Sequence, residues 1–168
     1  MTDQSPATLS DIEILDILQS MKSDELNTEA NVVIRNGGKA GRQEAHKQAL
    51  VCLNVAFEAK FVEAVTLALN LNEAQSKKIR YKKDRIRILK VRGIDYLDID
   101  GAETAQVLSQ VAQAITREDA TVTHDLHNIF PFWKEGWPMV QFDNVYKILE
   151  EDIAIHYQAV LDALISKH

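Results

Sequence analysis

The 168-residue chain contains one cysteine, Cys52, which rules out an intrachain disulfide and fits a reducing compartment. Cys52 lies in an apolar helical pattern, where free cysteine packs as a small core residue, and nothing around it suggests a nucleophile. Gly-x-Ser-x-Gly, Cys-x-x-Cys and His-Glu-x-x-His are all absent, so no local motif announces an enzyme. There is no signal-like start either. Met1-Thr2-Asp3-Gln4-Ser5-Pro6 carries an acid where a secretory leader carries positive charge, and no apolar run follows before Ile12. Residues 1–9 are expected to form a disordered tail. The most apolar stretch, Ala49 to Leu71, is interrupted by Asn54, Glu58, Lys60, Glu63 and Asn70, which excludes a membrane span and leaves a buried helix. A cytoplasmic location is expected. Glycine is dense only in Asn36-Gly37-Gly38-Lys39-Ala40-Gly41, which must be a turn because each glycine would cost a helix about 1 kcal/mol relative to alanine.

With 46% hydrophobic and 26% charged residues, the chain has enough apolar material for one core and lies far from disordered compositions. Helical spacing dominates. Ser10-Asp11-Ile12-Glu13 has the form of a capping box and opens a helix carried on by Ile14, Leu15, Leu18 and Met21. A long helix from about Arg42 to Asn70 is apolar nearly all round, the mark of a central helix covered by others or by a partner subunit. Asn72 with Gln75 caps another helix. Asp100-Gly101-Ala102-Glu103 caps the next, with a stripe of Thr104, Leu108, Val111 and Ile115. Asp119 is read as the cap of a short helix through Ile129, and a last helix spans about Asp143 to Ser166. Two segments stay open. Asn31 to Arg35 fits a strand or a helical turn, and the alternation within 85–99 fits a small two-stranded β element or a continued helix. The expectation is therefore a mainly α, single-domain, multi-helical bundle of five or six helices around a long central helix, residues 1–168, with an open question of β structure near 85–99.

Four features carry candidate function. From Lys77 to Arg92 there are nine basic residues and one acid, so this stretch holds +8 in a chain of −6 and leaves −14 on the remainder. Lys78, Lys82, Lys83 and Arg87 are candidate partner contacts, with Asp95, Asp98 and Asp100 as internal acids that compete for them. Nucleic acid is the less favoured partner, since only Tyr81 interleaves with the basic residues and no nucleic-acid motif is present. The aromatic cluster Phe130, Phe132, Trp133 and Trp137 either closes over its own core or anchors a partner; Phe132, Trp133 and Trp137 are the candidate contacts. Lys39 and Arg42, at the glycine turn before the long helix, are a candidate anion site, although the Walker spacing is absent.

The fourth is a metal reading. His124 and His127, three residues apart, would share a helical face, and His124-Asp125 with the distant His46 and a late aspartate such as Asp143 resembles the ligands of HD-domain phosphohydrolases. That likeness covers isolated residues only, and the gap from His46 to His124 is wider than the usual pattern. It implies a hydrolase using one or two divalent metals. The leading expectation is different: a helical regulatory or adaptor protein without a cofactor, forming a homodimer or binding a protein partner, for which an acidic surface would complement the basic stretch. Membrane partners are not expected.

Overall fold

The computed structural model describes residues 9–21 and 23–167, so nearly all of the expected tail, 1–8 of 1–9, lies outside the described residues. Seven α-helices are present among the described residues: α1 Asp11–Ser20, α2 Thr28–Gly37, α3 Arg42–Leu69, α4 Glu73–Lys78, α5 Lys82–Val91, α6 Ala102–Arg117 and α7 Phe142–Ile165. The fold is a mainly α bundle around the long α3, and no strand occurs among the described residues. None of these helices is long and apolar enough to cross a membrane.

At roughly 1.5 Å per residue the 28 residues of α3 span about 42 Å. α1, α2, α6 and α7 all pack on it, and α7 also meets α1 and α6. Leu50, Leu53, Phe57, Phe61 and Val65 of α3 are fully buried in one core with Leu18, Leu108, Val145, Ile153 and Tyr157. Apolar residues all round α3 are thus met largely by the chain's own helices. Val55 is the one large apolar side chain of α3 that is exposed, which removes much of the reason for expecting a second subunit to cover this helix.

Local chemistry sets the helix ends. Ser10 Oγ accepts from Glu13 N–H at 3.2 Å and also lies 3.1 Å from the Glu13 carboxylate. Asn72 and Gln75 form a reciprocal capping box for α4. Ahead of α6 the capping expectation needs correcting, because Gly101 is the cap residue, with φ +79°, and no side chain caps it. Any Cβ there would lie 2.8 Å from His156 Cβ, so glycine lets the turn close against α7.

Two open segments are resolved and one further expectation is corrected. Asn31 to Arg35 is helical, within α2. The segment 85–99 holds no β element: it is the end of α5, a turn, and a short 3-10 helix Tyr96–Asp98. Its alternation left helix and strand open because Arg85 occupies a core position, completing a buried stripe with Ile88 and Leu89 at helical spacing. Finally, Asp119 caps no helix. Asp119 and Ala120 both adopt left-handed backbone, φ +53° and +54°, and only a 3-10 turn, His124–Leu126, follows.

Candidate functional site

α4 stops at Lys78 and the chain turns at Ile79, whose side chain is fully buried, before α5 begins. Arg85 then reaches back: its Nε donates to the Ile79 carbonyl at 2.9 Å, satisfying an acceptor left open at the turn. Its Nη2 donates to Glu58 of α3 at 2.8 Å, and its guanidinium lies 4.1 Å from the Phe61 ring centroid. Only 5% of Arg85 is exposed. One of the nine cations in the basic stretch is therefore a core residue, and the composition of the stretch gave no sign of it.

The polar chain continues inward. Arg85 Nη1 donates to the Tyr96 hydroxyl oxygen at 3.3 Å, and that hydroxyl lies 2.8 Å from Nε2 of the fully buried His156. On the far side of the ring, Nδ1 is 2.7 Å from the Asp100 carbonyl. A carbonyl only accepts, so Nδ1 carries the proton and Nε2 of the neutral ring accepts from Tyr96. The order of donation is fixed from Arg85 through Tyr96 and His156 to the backbone. Burial pushes the His156 pKa below its ordinary value, outweighing the Asp100 carbonyl that raises it. Burial also raises the Glu58 carboxyl and the Tyr96 phenol, each against the opposing pull of Arg85.

Glu58, Arg85 and Tyr96 line a pocket of about 380 Å³ between α5, the Tyr96–Asp98 turn and α6. Its apolar wall includes Ala102, Ala105 and Val107 of α6, with Leu97 and Ile129 beside it. Arg80, Tyr81 and Lys82 close the other side. Lys78, Lys82, Lys83 and Arg87 are all exposed, so the four basic residues singled out in the sequence do lie on the surface. Arg87 pairs with Asp84 at 2.8 Å. Lys78, Arg80, Lys82 and Lys83 have no carboxylate within ion-pair distance among the described residues, and Asp95, Asp98 and Asp100 neutralise none of them there.

The aromatic cluster divides. Trp133 is fully buried, donates from Nε1 to the Val140 carbonyl at 2.9 Å, and meets Phe130 edge-on at 5.0 Å, so it is a core residue and offers no side chain to a partner. Phe132 is half-buried and stacks on Phe130. Trp137 is 65% exposed, on a loop held by the Thr121–Pro138 bridge.

The other sequence candidates stay apart. Arg42 is engaged by Asp143 of α7 at 3.0 Å, which leaves exposed Lys39 alone at the glycine turn. A hydrogen bond from Gln43, with Arg42 adding to it, holds the Asp143 carboxyl down at about 2. His46 is buried, donates from Nδ1 to the Arg42 carbonyl at 2.7 Å and packs edge-on against Tyr146. His127 Nδ1 accepts the Glu135 N–H at 2.9 Å, and exposed His124 pairs with the Glu135 carboxylate at 3.4 Å. Asp125 is exposed beside them. Among the described residues no group of three His, Cys, Asp or Glu side chains is placed to hold a metal ion, so the residues present do not fit the metal site that the HD-domain likeness implies. The chain matches no protein-family model, and searches of curated proteins and of solved structures find no match either.

Proposed function

We propose that this protein works by binding, as a helical regulatory or adaptor module, and that it receives an acidic protein partner on the α4–α5 face. The observation that carries this reading is the set of exposed cations, Lys78, Arg80, Lys82 and Lys83, within one short segment, none of which has a carboxylate within ion-pair distance among the described residues. Folded proteins of mixed charge ordinarily intersperse the signs. Here +8 is confined to Lys77–Arg92 while the rest of the chain carries −14. Such a face attracts acidic surface and speeds encounter with it.

The same charge distribution argues against extended nucleic acid. A duplex long enough to bury the basic face would run past the acidic body, and among the aromatics Tyr81 alone stands within the basic stretch as a stacking surface. The test compares fluorescein-labelled oligoglutamate with a labelled random duplex over a salt series. The acidic peptide should bind at low salt, weaken steeply as the Debye length contracts below about 10 Å, and lose binding to K78E/K82E/K83E. Tighter binding of the duplex at physiological salt would replace this reading with nucleic-acid binding.

A further inference from the structure

Exposed apolar side chains scattered singly over a surface need no explanation, but three gathered round one opening do. Tyr81 is 67% exposed, Leu97 56% and Ile129 41%, and all three line the same pocket. Behind them α6 presents Ala102 and Ala105, three residues apart and therefore on one face, where larger side chains would have filled the space. The hollow thus combines these small and large apolar residues with the polar side chains of Glu103, Gln106, Ser109 and Gln113 on α6. Its floor is held in place, since Glu58 and Tyr96 are both tied to Arg85 and Tyr96 is tied again to His156. Arg80 and Lys82 flank Tyr81 in the chain and stand at the opening.

We infer that this pocket is an anchor site for one bulky apolar side chain, leucine or phenylalanine, presented by an acidic segment of a partner protein whose flanking carboxylates meet Arg80 and Lys82. The inference rests on the acidic-partner reading and adds the chemistry of its central contact. At about 380 Å³ the pocket lies near the lower end of the roughly 300–1,000 Å³ range of ligand sites, so it admits one large side chain with room to spare. Interfaces draw most of their affinity from a few such buried anchors ringed by groups that exclude water. Charge complementarity selects the occupant: a segment with basic flanks would be repelled by Arg80, Lys82 and the neighbouring lysines. A second copy of the chain is disfavoured, because a basic face meeting the acidic body of a like molecule is a head-to-tail contact, which forms filaments unless its rotation closes.

The experiment uses the full chain and labelled nonapeptides of glutamate and serine with a central Phe, Leu or Ala, read by fluorescence anisotropy. Gln106 and Leu97 line the pocket without belonging to the core, so Gln106→Trp, which fills the hollow, and Leu97→Ala, which strips its rim, should leave the thermal melt unchanged. The Phe peptide is expected to bind at least tenfold more tightly than the Ala peptide to the wild-type chain. Gln106→Trp should erase that difference while leaving the weak, salt-sensitive binding of the Ala peptide intact. Equal binding of the Phe and Ala peptides would overturn the anchor and leave the acidic-partner reading standing. If oligoglutamate itself fails to bind, that reading fails, whatever the anchor does. Self-association by sedimentation that Gln106→Trp abolishes would identify a second copy as the occupant and overturn the inference.

Discussion

Arg85 is held by four kinds of contact at once: a backbone carbonyl, the Glu58 carboxylate, the Tyr96 hydroxyl and the faces of Phe61 and Tyr96. Buried pairs of this type contribute little net stability relative to an apolar replacement, but removing one partner leaves an uncompensated charge and costs about 3–5 kcal/mol. Arg85→Ala should therefore lower the unfolding free energy by that order, and Arg85→Met with Glu58→Met should recover much of the loss. Urea denaturation of Arg85→Ala and of the double variant measures it; a double variant no better than Arg85→Ala would show that the carbonyl and ring contacts matter more than the pair. His156 supplies a pH signature of defined sign. Because its pKa in the folded protein is below the ordinary value of 6.5, the unfolded chain binds its proton more readily. Stability from the neutral ring is complete above about 6.5 and is lost as pH falls through the window beneath it. Glu58, whose carboxyl is raised, acts in the opposite sense, so the term is isolated by difference. In His156→Gln the fall in stability from pH 7 towards 5 should be shallower than in the wild-type chain, and an unchanged slope would show that His156 does not titrate there.

At the scale of elements, the two tryptophans make the sharpest contrast. Trp133 is fully enclosed and hydrogen-bonded, so Trp133→Ala should cost about 3–5 kcal/mol, whereas Trp137→Ala, on the surface, should stay within about 0.5 kcal/mol. Denaturant midpoints of the two variants decide this, and comparable losses would mean that the 119–141 loop is anchored at both rings. Both lie in one aromatic sequence run, and nothing in its composition separates the buried ring from the exposed one. Elements with an unbroken apolar period or a side-chain cap were legible: α1 from Ser10 and Glu13, α3 from its all-round apolar pattern, α4 from Asn72 and Gln75, α6 from its stripe, and α7 close to its expected bounds. α5 was obscured because a charged residue fills its core position, and the supposed helix after Asp119 failed because two consecutive left-handed residues turn the chain away. The site was legible only in its outer part. Lys82 of the pocket mouth follows from the charge run, but Glu58, Tyr96 and Ala105 come from distant segments whose meeting depends on how α3, α5 and α6 pack. His156 carried no motif at all; it was one apolar-stripe neighbour among many on α7.

For the molecule as a whole, the packing divides the chain into a well-tied centre and a less supported face. α3 is held by α1, α2, α6 and α7, whereas α5 makes its main contacts with α4 and the Tyr96–Asp98 turn. Its polar ties to the centre are Arg85, through Glu58 on α3, and the cap residue Arg92, whose Nη1 donates to the Leu69 carbonyl at the end of α3. Proteins open in cooperative units, and elements with few contacts to the core open at lower free energy than the global transition. The proposed binding face should accordingly be a separate opening unit whose closing depends on the Glu58–Arg85 pair. Native-state hydrogen exchange tests the coupling. In the wild-type chain, amides of Leu50 to Val65 and of Val145 to Leu161 should exchange most slowly, and those of α5 faster. Glu58→Gln weakens the pair but keeps a side-chain acceptor near Arg85, so it should accelerate exchange in 82–91 and around Tyr96 well before it affects the centre of α3. A uniform acceleration across α3, α5 and α7 would instead place α5 within the global unit, and the basic face would then be as rigid as the core beneath it. Selective acceleration would place α5 in a separate opening unit, and the affinity of the proposed acidic partner would then fall with the population of the closed face.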